Sequence, residues 1–363
     1  MPGTPLAPRR RRRAAAALTA LALAALGLAA ASAVVAAQAQ AAPTLTLERL
    51  AGADRYATAI TASRSAFADD SLDAVVLASG TSTVDALAAA AVAGVVGSPV
   101  LLTPPDALDA AVLAEIRRLG AGQVVLAGGE AAISPAVSEV LEPEFAVTRV
   151  AGTDRYDTAA LLAAFLNDAE REVVFIAAGP VDAAAVAPIA AARQWPVLLT
   201  DPRAASPQAL AALEDFPDAR RVVVGGPGVL SQAVADRFGA EERLEGTDRY
   251  ATATAIARFA VERAGFPGDG FGLALGSGGA TGTDLADALT SGPVLGRAQA
   301  PLLLTASRDD LGQVTAAHLA ANAARLSAQG LVFGGPGAVS QSVVAQAAAA
   351  AGTTAPAATA TDG

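Results

Sequence analysis

Apolar and polar positions along this chain fall in blocks rather than alternating residue by residue. "DAVVLASG" from Asp73, "EVVFIAAG" from Glu172 and "FGLALGSG" from Phe271 are short apolar runs without period-two alternation. That is the pattern of strands covered on both faces. An Asp-Ala pair then opens an alanine-rich stretch of helical length, at Asp85, Asp182 and Asp287. A second apolar run follows, "SPVLLT", "WPVLLT" and "APLLLT", ending at Thr103, Thr200 and Thr305; the Asp-to-Thr spacing is 18 residues in every copy. Another helical stretch leads to a third run and a glycine pair, Gly128–Gly129, Gly225–Gly226 and Gly334–Gly335. A serine stands six residues after each first glycine, at Ser134, Ser231 and Ser340. Strand–helix–strand order predicts mostly parallel sheets covered by helices, an α/β fold, three times over.

Each copy is introduced by nearly the same eleven residues: "RLAGADRYATA" at Arg49, "RVAGTDRYDTA" at Arg149 and "RLEGTDRYATA" at Arg243. The chain's three tyrosines, Tyr56, Tyr156 and Tyr250, all belong to these segments. Landmarks in fixed order over about a hundred residues define tandem modules, here 49–148, 149–242 and 243–347. The third carries an insertion, "GGATGTD", around Gly278–Asp284. Residues 348–363 lack periodicity and read as a flexible tail. At the other end, Arg9–Arg13 precede an apolar run and the small residues of "AQA", so residues 1–41 read as a signal peptide cut near Ala41. An uncleaved membrane anchor is the rival reading of the same stretch.

Export agrees with the absence of cysteine, which leaves stability to core burial. Net charge is −10 and lysine is absent. An acidic surface argues against nucleic acid and anionic membranes as partners, though not against an anionic ligand held by converging arginines. A single histidine, His318, leaves little room for zinc or for a nucleophile–histidine pair. No metal and no cofactor are expected. Trp195 and His318 read as packing residues.

Within the repeated segment, Asp54 stands where a helix N-cap belongs and Gly52 would permit a sharp entry. Arg55, Arg155 and Arg249 then occupy the first helical position, where a cation opposes the helix dipole by ~0.3–1 kcal/mol. A disfavoured residue kept three times needs compensation. Two sources are open: a carboxylate of a neighbouring module, among Asp85, Asp182 and Asp287, or an anionic ligand. Those aspartates follow the first strand of each module, near the carboxyl edge where α/β sheets bind ligands. Helix N-capping is the simpler account of them, and the Gly-Gly…Ser element reads as a turn followed by a serine cap.

The segment R-[LV]-x-G-x-D-R-Y-x-T-A, the later D-A, "P-[VL]-L-L-T" and the terminal G-G…S together resemble the type-2 cell-wall-binding repeat of Gram-positive surface proteins. The resemblance covers about 300 residues. It implies Rossmann- or toprim-like modules packed about a pseudo-threefold axis, and noncovalent retention on the wall through an anionic secondary polymer. It marks Arg55, Arg155 and Arg249, and the segments ending at Thr103, Thr200 and Thr305, as structural or ligand-proximal. Asp182 departs from the pattern in being followed by "AAAV", and Glu245 replaces a small residue, which sets the three sites apart from one another. The expectation is a secreted, noncatalytic protein of the cell surface that binds an anionic wall polymer or peptidoglycan, alone or beside a partner wall enzyme. The rivals are a wall hydrolase using the aspartates, and a purely structural surface protein.

Overall fold

The computed structural model describes residues 45–354 apart from 168 and 277–284, without the side chains of residues 83–88. The signal-peptide segment, the third-repeat insertion and the end of the tail therefore lie outside the described residues. Within them, the chain forms three four-stranded sheets in which every pairing is parallel. The first sheet has the order β3 (Val100–Thr103), β2 (Ala74–Ser79), β4 (Gln123–Ala127), β5 (Ala146–Val150). The second repeats it with β7 (Val197–Leu199), β6 (Val173–Ala177), β8 (Arg220–Val224), β9 (Glu242–Leu244). The third has β11 (Leu302–Thr305), β10 (Phe271–Leu275), β12 (Gln329–Phe333) and then β1 (Thr46–Leu50).

Sequence repeat and sheet are thus out of phase by one strand. Each strand that leads into a DRY segment completes the sheet of the preceding repeat: β5 pairs with β4, and β9 with β8. β1, which leads into the first DRY segment, pairs with β12, from Thr46↔Gln329 to Leu50↔Phe333, closing the three repeats into a ring. The Glu48 and Gln329 side chains hydrogen-bond across this seam. The Thr353 hydroxyl donates to the Leu45 carbonyl at 2.9 Å. The last helix accordingly runs Gln341–Ala350, with Ala348 and Ala351 buried, three residues past the point where periodicity fades in the sequence.

The continuous apolar runs are explained by burial on both faces. Val75, Val76, Leu77 and Ala78 are all at 0% exposure, as expected for strands between two helical layers. The inner layer consists of three alanine-rich helices, α2 (Thr83–Val96), α6 (Pro180–Arg193) and α10 (Ala286–Ala298), each packed on the other two. Only small residues permit this approach. A Cβ on Gly94 would collide with the Ala191 carbonyl, and one on Gly292 would lie 2.9 Å from Ala187 Cβ. One hydrophobic core runs through all three repeats, and a second, smaller one lies beneath the outer face of the β1-containing sheet. Trp195 belongs to the first. It is 4% exposed and meets Phe175 and Phe259 at 6.0 and 6.4 Å, so it cements repeats two and three and is closed to a ligand.

Candidate functional site

The DRY segments build helix starts. Asp54 accepts the Ala57 amide at 2.8 Å, Asp154 those of Tyr156 and Asp157 at 2.8 and 2.9 Å, and Asp248 that of Ala251 at 2.8 Å. The threonine of each segment closes the loop from behind: Thr58, Thr158 and Thr252 accept the amides of Gly52, Gly152 and Gly246 at 3.0–3.1 Å. The glycines are needed for that approach, because a Cβ on any of them would strike the first turn of the helix that follows.

The first-turn arginines are compensated by backbone as well as by charge. Arg55 Nη1 donates to the Gly80 carbonyl at 2.6 Å and Arg249 Nη1 to the Gly276 carbonyl at 3.0 Å. Both carbonyls lie just beyond the first strand of the arginine's own repeat. The guanidinium therefore leaves the sheet that its helix starts from and reaches the carboxyl edge of the next. On the way it faces an aspartate of the preceding repeat. Asp287 feels Arg55, and Asp182 feels Arg249. Neither pair closes into a direct ion pair among the described residues.

Asp182 and Asp287 are not helix caps. Gly179 caps α6 and Leu285 caps α10, so the aspartates sit inside the first turn. Asp85 occupies the corresponding part of α2, but its side chain lies outside the described residues. The Asp182 and Asp287 carboxylates rest on the first glycine of the glycine pair. A Cβ would lie 2.6 Å from Asp182 Oδ2 at Gly225 and 2.5 Å from Asp287 Oδ2 at Gly334, where φ is +99° and +104°. Both the backbone conformation and the room for a carboxylate require glycine there. Burial pushes each carboxyl up to about 6 from an ordinary 3.8, against the pull of the facing arginine.

A second arginine set, to which the sequence reading gave no role, ties the glycine turn down. Arg49 Nη1 donates to the Gly334 carbonyl at 2.7 Å. Arg149 Nη1 reaches the Gly128 and Ile133 carbonyls at 3.1 and 2.8 Å, and Arg243 Nη1 those of Gly225 and Leu230 at 2.7 and 3.0 Å. Their recurrence at the head of each DRY segment was the signal available. Of the serines that follow, only Ser231 caps its helix with its side chain, accepting Val234 N at 3.3 Å; Ser134 and Ser340 stand at the cap without that bond.

Between repeats three and one these parts enclose a cleft of about 560 Å³ at the carboxyl edge of the sheet. Asp54 and Arg55 form one wall, Gly335–Ala338 the other, and Leu275 and Asp287 the floor. The strand-end threonines lie elsewhere. Thr103, Thr200 and Thr305 are at 0% exposure. Thr103 donates to the Pro104 and Ala107 carbonyls at 3.1 and 3.3 Å, and Thr200 accepts the Ser206 amide at 2.9 Å. Thr103 and Thr200 thus shape the loop after the second strand of their repeats, whereas the buried Thr305 hydroxyl has no hydrogen-bond partner among the described residues. Tyr250 is tied likewise, its hydroxyl donating to the Ala306 carbonyl at 3.1 Å. No group of His, Asp and Glu among the described residues is placed to hold a metal.

The family model for cell wall binding domain 2 matches residues 49–138, 149–235 and 243–344. The chain belongs to that family. Its three repeats are the three matches, and each match begins at one of the turn-binding arginines, Arg49, Arg149 and Arg243. Cwp8 from Clostridium difficile superposes with a TM-score of 0.74 at 26% identity, over 85% of this chain and 52% of that one. Cwp6 from the same organism gives 0.73 at 22% identity, over 86% and 48%. The N-acetylmuramoyl-L-alanine amidase LytC of Bacillus subtilis is 29% identical over 58% of this chain and 42% of its own length. The amidase enhancer of that organism is 30% identical over 56% and 28%. The chain thus spans less than half of either Bacillus relative. The family associates the protein with the cell wall and its surface, and no helix among the described residues is long and apolar enough to cross a membrane.

Proposed function

We propose that the protein is exported and holds itself on the cell wall noncovalently, taking an anionic secondary wall polymer in the clefts where successive repeats meet. Arg55, Arg155 and Arg249 supply the charge, and Asp85, Asp182 and Asp287 line the floors. The buried Thr103 and Thr200 act from behind by fixing the neighbouring loops, and Thr305 stands at the same strand end in the third repeat. One observation carries this reading. A guanidinium in an otherwise acidic protein is pinned by a backbone carbonyl at the carboxyl edge of a sheet, beside an open cleft, without a direct ion-pair partner among the described residues. Such a group keeps donor capacity for a phosphate or carboxylate. Three weak contacts on one rigid body add through effective concentration.

The test is co-sedimentation of residues 42–363 with walls before and after removal of anionic polymers, over a salt series. Binding lost on stripping and weakened by salt supports the reading. Equal binding to stripped walls moves the ligand to peptidoglycan, and binding to neither leaves the repeats as architecture. A triple Arg55/Arg155/Arg249→Ala variant that folds but no longer sediments assigns the contacts. The names of the two Bacillus relatives favour a wall amidase as a partner at the same surface. Turnover of purified peptidoglycan, abolished by Asp287→Asn, would instead make this chain an enzyme.

A further inference from the structure

A second cavity, of about 550 Å³, lies in the third repeat at the opposite, amino-terminal edge of the β1-containing sheet. It opens between α9 (Arg249–Glu262) and α11 (Gln313–Asn322). Its floor is apolar and buried: Ala257, Phe271, Leu303 and Leu319 are each at 1% exposure or less. Its mouth is cationic, with exposed Arg258 and Arg325. The one acidic residue on its lining, Glu262, pairs directly with neither arginine among the described residues.

Comparison of the internal repeats shows what is missing. In the first, the corresponding helices α1 (Arg55–Ala66) and α3 (Ala110–Arg118) are joined by the wholly buried Glu115. That carboxylate takes Ser63 at 2.7 Å, Arg64 at 2.9 Å and Arg118 at 2.7 and 2.9 Å. Counted from the DRY tyrosine, Ala257 and Arg258 stand where Ser63 and Arg64 do. By burial spacing, Thr315, His318 and Leu319 answer to Val112, Glu115 and Ile116, and Ala321 to Arg118. The second repeat has Ala164 and Ala212 at these places, lacking arginine and carboxylate together. The third repeat alone keeps the arginine and loses the carboxylate, with the His318 imidazole in the carboxylate's place on the wall of the cavity. Burial and Arg258 push the His318 imidazole down, so it is neutral at pH 7 and offers a hydrogen bond rather than a charge.

We propose that this cavity binds a small amphipathic carboxylate, an alkyl or aryl acid, with its head at Arg258 and Arg325 and its apolar part against Phe271, Leu303 and Leu319. The ligand's carboxylate partners Arg258 as Glu115 partners Arg64 in the first repeat. The volume falls within the ~300–1,000 Å³ of small-molecule sites, whose mostly apolar walls carry a few placed polar groups.

Titration calorimetry of the full chain with decanoate tests the proposal, with 1-decanol as the uncharged control. One saturable decanoate site is expected, with decanol far weaker. Arg258→Ala should weaken decanoate roughly tenfold or more, the worth of a charge-assisted hydrogen bond. Ala317→Trp, at an exposed position on the lining, should block the cavity without disturbing the core. His318→Glu should restore an internal partner for Arg258 and compete with the probe. Wall co-sedimentation should be unchanged in all three variants. The proposal is overturned if decanoate shows no saturable binding, if decanol binds as well, or if Ala317→Trp and His318→Glu leave decanoate binding intact.

Discussion

Asp287 and Asp182 make the fold's stability depend on pH in a direction opposite to that of most carboxylates. Each has a folded pKa of about 6 against an ordinary 3.8, because burial disfavours the ionised form more than the facing arginine favours it. A carboxyl raised in the fold contributes its full stability below the unfolded value and loses it as pH rises through the folded one. The rise from 3.8 to about 6 is worth ~3 kcal/mol per residue at most. Between pH 4 and pH 7.5 each aspartate should therefore cost the fold up to ~3 kcal/mol. An amide of the same shape cannot ionise and should escape that cost. Urea unfolding of the native protein and of Asp287→Asn at pH 4.5, 5.5, 6.5 and 7.5 reads the difference directly, since other titrating groups cancel. The variant should gain on the native protein as pH rises, with the steepest change between pH 4.5 and 6. Asp182→Asn should do the same. Curves for native protein and variant that run parallel across this range would refute the reasoning, because the carboxylate would then be as well solvated in the fold as outside it.

Other consequences are equally open to measurement. Wall binding should tighten as pH falls from 7.5 to 5.5, since neutral Asp182 and Asp287 no longer compete with the polymer for Arg249 and Arg55; salt-matched co-sedimentation at the two pH values checks this. Gly334→Ala should lose ~1–3 kcal/mol from left-handed backbone strain and the clash with Asp287. Gly337→Ala in the same turn, where a Cβ meets nothing within 4 Å, should be near neutral by calorimetry. Glu115→Gln should cost ~3 kcal/mol by leaving Arg64 and Arg118 without their carboxylate. Burial pushes the Glu115 carboxyl up, but its hydrogen bonds outweigh this and hold it below its ordinary 4.5. Its contribution is thus present above that value and fades as the solution is acidified, so the loss seen at pH 7 should shrink toward pH 3.

Much of this architecture was legible in the chain, because repetition turns weak local signals into strong ones. Continuous apolar runs gave buried parallel strands, and the aspartate of each DRY segment is the N-cap that its position suggested. The aspartates after the first strands were harder to read. Helix α6 begins at Pro180, two residues before Asp182, and proline at the first helical position was a start signal in plain view. What local sequence cannot carry is the assignment of a strand to a sheet. β5 looks like the opening of the second repeat and is built as the edge of the first sheet, because pairing depends on where the crossover returns and not on the strand's own residues. The roles of Arg49, Arg149 and Arg243 follow from that same offset, since each grips a turn belonging to the repeat before it.

Closure of the ring by β1 fixes the number three. In an open solenoid a repeat can be added or deleted, since each unit touches only its neighbours and the ends are capped. Here the strand that precedes the first DRY segment is owed to the last repeat, and each central helix already meets both others. A fourth copy would separate β1 from β12 and leave no place among the three inner helices. A deleted copy would leave a helix face and a strand edge uncovered. Duplication in such a molecule must therefore proceed by whole rings, and melting should take the three repeats together as one transition.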